Sequence, residues 1–419
     1  MAFDSQQGVS RRSFMRILGA ATAATTLPAF AATQSGAVIG EQPAAHRGAA
    51  DTADPELRVL PPDAVILSAN ENPLGPAQSA LDALYSAAKT GGRYHREELT
   101  KTLTAFNNIY GLKRAYTAIY PGSCLPIDMA LLSNIGPDKP LVYGDPSYEQ
   151  GPAAAVRAKA PHFAVPLTAN YAYDVNAMVK AHPSPGAYYI VNPNNPTGTI
   201  TPREDIVWLL KNKPAGSVVV VDEAYLHFSK EDSVLDLVAQ DQDLIVVQTF
   251  SKIFGMAGIR VGVVAARPDL MEKFATISPP GRTPLVSITS AAAARASLLD
   301  KDLIPQRRKI NTDVREETLE FLTKRGHPIV AGSQANMFMV DVKRPGGEFQ
   351  RAMLKENVAI GRTWPVMPTY VRVTVGTREE MTKFQSAFIR CIDIAPGDAN
   401  HTALHNPIFE PPTELYRIG

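Results

Sequence analysis

Val218-Val219-Val220-Val221-Asp222-Glu223-Ala224-Tyr225 decides the fold class. Four valines in a row are β-branched and apolar without alternation. That is the pattern of a strand covered on both faces, as in parallel sheets. The run stops abruptly at an aspartate. Similar runs lie outward on either side: Ala187–Val191 and Pro140–Tyr143 upstream, Leu244–Val247 and Val261–Ala265 downstream. Each is short and bounded by Gly, Pro, Asn or Asp. Helical spacings such as Arg203–Leu210 fall between several of them. The alternation predicts an α/β fold with a mostly parallel central sheet and helices on both faces. Such sheets bind ligands at the carboxyl ends of their strands, and polar clusters follow these runs directly.

Beyond Ser287 the pattern turns helical over Val286–Leu299 and Leu303–Arg325. Phe338–Val342 and Val371–Val375 then read as strands and Met381–Ile394 as a closing helix, a smaller α+β domain. The expected organisation is an N-terminal segment with a large ligand-binding domain over 62–300, a small domain over 301–395 and an extended tail over 396–419.

Lys and Arg (42) balance Asp and Glu (41), so the chain lacks the positive field that nucleic acid requires. With 419 residues and 45% hydrophobic content it suits a soluble globular protein of roughly two to three domains. Cys124 and Cys391 cannot build a disulfide framework. Two unpaired thiols are expected, with a single bridge open in an oxidising compartment. No C-x-x-C, H-E-x-x-H or Walker-type glycine loop occurs, and no metal is expected. His401-x-x-x-His405 lies in a Pro- and Asn-rich tail and reads as surface.

Ser10-Arg11-Arg12-Ser13-Phe14-Met15-Arg16, the mildly apolar run Ile17–Phe30 and Ala29-Phe30-Ala31 resemble, in order, the parts of a twin-arginine export signal. The alternative is an Ala-rich leader with a chance Arg pair. Residues 1–31 are expected to act as the signal peptide and 32–61 as a flexible linker. The protein would then meet the twin-arginine export machinery and reach the periplasm. Without a working signal it would stay cytoplasmic. The resemblance implies export in the folded state, which suits a protein that loads a cytosolic cofactor first.

Four segments carry chemistry: Asn192-Pro193-Asn194-Asn195-Pro196-Thr197-Gly198, Asp222-Glu223-Ala224-Tyr225, Thr249-Phe250-Ser251-Lys252 and Gly258-Ile259-Arg260-Val261-Gly262. With their order and spacing the chain resembles the fold-type I, class I/II aminotransferases, within them the histidinol-phosphate aminotransferase-like branch, from about Asn70 to Ile389. The resemblance implies pyridoxal 5'-phosphate as cofactor. It implies that Lys252 is the Schiff-base lysine and then shuttles the substrate proton. Asp222 would pair with the pyridinium nitrogen, although an aspartate at a strand end also caps turns. Asn195 and Tyr225 would bind the phenolic oxygen; a rigid Pro-Asn turn and a core tyrosine are their plainer readings. Tyr148 would stack on the ring.

The cofactor phosphate calls for positive charge and donors. Arg260, Thr249 and Ser251 match the family there, and Ser123 and Cys124 offer backbone N–H groups at a helix start. An acidic residue is common in the family where Cys124 stands. Tyr94 resembles a tyrosine that reaches the neighbouring subunit's cofactor, which implies a homodimer with shared sites; alternatively it is a surface aromatic.

On the substrate side, Arg372 in Tyr370-Val371-Arg372-Val373-Thr374 matches the arginine that grips a carboxylate or phosphate. Arg362 resembles a second one, or is a structural ion-pair residue. Asn70-Glu71-Asn72-Pro73 resembles the segment that folds over the site. Trp364, Pro365 and Met367 make the intervening loop apolar. The reaction implied is ping-pong transfer from a small-molecule amino donor to a 2-oxo acid acceptor. A lyase, racemase or cyclase on the same fold, or a non-catalytic exported binding protein, remains open on these residues.

Overall fold

The structure, a computed structural model, describes residue 60, residues 63–277 and residues 285–393. The leader, the linker apart from residue 60, and the tail with His401 and His405 lie outside the described residues.

The strands are β1 (Val65–Leu67), β2 (Thr117–Tyr120), β3 (Leu141–Asp145), β4 (His162–Pro166), β5 (Ala187–Val191), β6 (Val218–Asp222), β7 (Leu244–Thr249), β8 (Gly262–Ala266), β9 (Met337–Asp341), β10 (Val358–Ile360) and β11 (Tyr370–Thr374). Seven of them form the central sheet in the order β2-β8-β7-β6-β5-β3-β4. β3 through β7 pair in parallel, and β8 runs antiparallel to both β7 and β2. The exception has a local cause. A parallel return needs a crossover of a dozen or more residues, usually a helix. Residues 250–261 form turns instead, so β8 comes straight back.

The sheet is mostly parallel and covered on both faces, as the fold-type I class requires. Val219 and Val221 of β6 enter the apolar core on one face, while Val218 and Val220 enter the core on the other. This is the two-residue period of a strand read through a doubly buried sheet. Burying each such valine contributes about 2 kcal/mol relative to exposure.

A separate apolar core holds Phe338, Phe349, Phe384 and Phe388 between β9, β11 and the helices Gly346–Lys355 and Arg378–Ile392. β9 and β11 pair antiparallel, with Arg372 opposite Met339. The chain's first described strand also belongs here: β1 pairs parallel with β10, Val65 opposite Val358. Hydrophobic pattern placed the last helix from Met381, but it starts at Arg378. Thr377 and Glu380 form a capping box that satisfies the first-turn amides and extends the helix by a turn. Both cysteines are free thiols, Cys124 exposed and Cys391 buried in that helix.

Candidate active site

The ends of β5, β6 and β7 and the start of β8 share one edge of the sheet, because β8 alone is reversed. Lys252 thus follows β7, Asp222 closes β6, and Asn195 follows β5. Arg260, just ahead of β8, returns beside Ser251.

Asp222 is 3% exposed. It accepts hydrogen bonds from the Ala224 amide (3.0 Å) and the Tyr189 hydroxyl (3.3 Å). Burial pushes its carboxyl up to about 6, against the pull of those two bonds and of Lys252. The Lys252 ammonium donates to the Ala69 carbonyl (3.2 Å) and lies 5.4 Å from the Tyr225 ring centroid. The Tyr225 hydroxyl accepts from Asn70 Nδ2 (3.1 Å). Asn195 Oδ1 accepts from Arg372 Nη1 (2.8 Å). Tyr148 is half-buried, its hydroxyl 3.9 Å from Cys124 Sγ. Burial raises its phenol well above the ordinary value, and Cys124, Tyr225 and Asp222 push in the same direction.

The phosphate end is built from hydroxyls, a guanidinium and a helix start. Thr249 Oγ1 donates to Ser251 Oγ (2.9 Å), and Arg260 Nη1 donates to the Ala257 carbonyl (2.8 Å) and more weakly to Ser251 Oγ (3.4 Å). Helix Cys124–Leu132 begins here. Its N-cap, Ser123, makes no side-chain cap, so the first-turn amides carry no capping side chain. Two glycines allow this approach. A Cβ on Gly122 would collide with the Arg260 guanidinium, and one on Gly262 would press on the Gly122 carbonyl and the Ser123 amide.

Arg372 is buried, and its guanidinium donates to Asn195 and to the Ser68 carbonyl. Arg362 pairs with Glu149. Burial, then the neighbouring Arg372, lowers the Arg362 guanidinium to about 10, while Tyr148 opposes the shift. Both guanidiniums lie over the Trp364 ring, 5.0 Å and 5.5 Å from its centroid. Trp364 donates to the Ser147 carbonyl (3.1 Å) and packs with Val330, Met339 and Met367, flanked by Tyr171 and Tyr370.

Lys252, Asp222, Asn195, Tyr225, Tyr148, Arg260, Thr249, Ser251, Ser123, Cys124, Arg362 and Arg372 therefore gather at one place. Tyr94 does not join them within one protomer; it is 77% exposed. Sequence reasoning missed Tyr189, Asn70 as an individual contact, and Glu149. Tyr189 lies in a continuous apolar strand and carries no local signal. Asn70 belonged to a segment already marked by its Asn-Glu-Asn-Pro composition. Glu149 directly follows Tyr148, a charge beside a site motif that could have been noticed.

The residues fit pyridoxal phosphate. A buried carboxylate pushed up to about 6 suits a protonated ring nitrogen, and the glycine-lined helix start beside Arg260 suits a dianion. The description "Aminotransferase class I and II" matches residues 62–388. Histidinol-phosphate aminotransferase 1 of Nitrosococcus oceani is 33% identical, over 77% of this chain and 87% of that protein. The aromatic amino acid aminotransferase of Cutibacterium acnes is 29% identical, over 76% of this chain and 90% of that protein. Histidinol-phosphate aminotransferase from Sinorhizobium meliloti, solved in complex with pyridoxal-5'-phosphate, superposes with a TM-score of 0.68 at 24% identity, covering 78% of this chain and 90% of that one. The chain belongs to the class I and II aminotransferase family and is a pyridoxal-phosphate-dependent, histidinol-phosphate aminotransferase-like enzyme that works on an amino donor and a 2-oxo acid.

Proposed function

We propose that this site transfers the amino group of a donor that joins a ring to an anionic group, with Lys252 as tether and proton carrier. Bound pyridoxal phosphate supplies an electron sink for the pair released at the donor Cα. Lys252 Nζ would take the proton from that Cα and deliver it to the cofactor carbon that bears the transferred nitrogen. Asp222 holds the proton on the ring nitrogen, and Asn195 and Tyr225 donate to the phenolic oxygen. Tyr148 covers the ring face. Arg260, Ser251, Thr249 and the amides after Ser123 hold the phosphate. Arg372, with Arg362 beside it, receives the donor's anion, while Trp364, Met367, Tyr171 and Tyr370 form the apolar surroundings near them. Histidinol phosphate, named for one relative, and aromatic amino acids, named for another, share that ring-and-anion character.

The observation that carries this reading is the convergence of Lys252, Tyr225 and Asp222 at adjacent strand ends. Lys252→Ala tests it. The purified variant should lose the visible absorbance of the lysine-bound cofactor, and turnover should drop about a thousandfold or more. Near-normal turnover in that variant would defeat the assignment.

Three further readings accompany it. Dimers are typical of the family, and the exposure of Tyr94 supports its use by a partner subunit, with each site completed by the other protomer. A division into a large and a small domain is supported by the separate apolar cores, with two differences from a cut at residue 300: Val65 and Leu67 pack in the small core, and Leu303, Ala335 and Met337 in the large one. Export through the twin-arginine route to the periplasm is supported by Arg11-Arg12, the apolar run and Ala29-Phe30-Ala31 in order.

A further inference from the structure

The anion end of the pocket has an unusual charge count. Arg362 and Arg372 face the same indole; burial and then the Arg372 charge loosen Arg362's hold on its proton, and burial loosens that of Arg372. Among the described residues one carboxylate pairs with them. Glu149 holds Arg362. Arg372 is left with two neutral acceptors, the Asn195 side chain and the Ser68 carbonyl, and its buried Nε has no partner. Two positive charges and one negative charge leave a single uncompensated charge, on Arg372.

Glu149 is held where it can do this. It directly follows Tyr148 and is the N-cap residue of the helix Gln150–Arg157. The Glu149–Arg362 pair is half-exposed, with side-chain exposures of 43% and 32%. A carboxylate monoanion on Arg372 balances the cluster and leaves the pair intact. A phosphate dianion does not. It must either sit uncompensated beside Glu149 or pull Arg362 away and leave that carboxylate unpaired, and both cost Coulomb energy in a partly desolvated site.

We propose that Glu149 is a specificity-determining residue: by neutralising Arg362 it selects an aromatic donor bearing one carboxylate over a ring donor bearing a phosphate dianion. The inference rests on the transaminase reading of this site and narrows its donor class. It separates this chain from the substrate named for its histidinol-phosphate relatives.

The test compares holoenzyme and its Glu149→Gln variant, which keeps shape and removes charge. Single-turnover half-reactions with L-phenylalanine and with histidinol phosphate are followed by cofactor absorbance in phosphate-free buffer. The wild type should favour phenylalanine, and the preference should fall at least tenfold in Glu149→Gln. A wild type that favours histidinol phosphate, or a change below tenfold, overturns the proposal. Calorimetric dissociation constants for 3-phenylpropionate and phenyl phosphate, read by the same two criteria, supply a measurement independent of turnover. Failure of both donors to react would count against transamination, while the two dissociation constants would still decide the role of Glu149. Glu149→Ala, measured alongside, guards against a folding defect peculiar to one variant.

Discussion

Gly122 and Arg260 meet with no room for a side chain between them: a Cβ on Gly122 would lie inside the guanidinium. Gly122 also adopts a positive φ of 84°, where a side chain costs about 1 kcal/mol. The contact joins the loop after β2 to the return into β8, and so sets the phosphate end of the site.

Gly122→Ala should therefore displace Arg260 and spoil the cradle while sparing the buried sheet. Affinity for pyridoxal phosphate, measured by equilibrium dialysis, should fall at least tenfold with the circular dichroism spectrum retained. Affinity within twofold of wild type would refute this role for the glycine.

Asp222 gives a pH prediction with a definite sign. Burial raises its carboxyl from 3.8 to about 6, so between those values the folded, cofactor-free protein keeps a proton that the unfolded chain has lost. Stability then falls as pH rises through that window and levels off above it, by about 3 kcal/mol in all. Asp222→Asn removes the charge. Without cofactor, the variant should match wild type near pH 4 and melt at a higher temperature at pH 7.5. Its turnover should drop about a hundredfold or more, since the ring nitrogen loses its anionic partner. Parallel melting curves across the pH range would contradict the burial argument.

Arg372 donates through two different nitrogens, to Asn195 and to the Ser68 carbonyl. Lysine cannot reproduce that fork. Arg372→Lys should raise KM for the carboxylate-bearing donor about tenfold or more, with a smaller change in kcat, in steady-state assays. An unchanged KM would place the donor's anion elsewhere.

For the leader, replacing Arg11 and Arg12 together by Lys should trap the protein in the cytoplasm, measured by cell fractionation. Unchanged distribution would remove the export proposal.

Much of the site was legible because its parts sit at strand ends. An apolar run that stops at Asp222, and another followed by Ser251-Lys252, mark two points on one edge once the sheet is parallel. Arg260 required more. Its place beside Ser251 depends on β8 reversing direction, and that follows from turns at 250–261 where a crossover helix would otherwise lie. Tyr189 was hidden because β5 is buried on both faces, and a strand without alternation does not reveal which side chain turns toward a carboxylate.

By itself the sequence determined the α/β class, the strands β3, β5 to β9 and β11, and the cofactor-binding residue types, since periodicity and strand-end chemistry are local properties; β1, β2, β4 and β10 are too short or too polar to show it. Tertiary structure alone decided the pairing of β1 with β10, the Asn70 bond to Tyr225 and the partnership of Glu149 with Arg362. Those contacts join residues far apart in sequence. Nothing local encodes a partner 213 positions away; it is selected when packing brings two charges together where solvent no longer fully screens them.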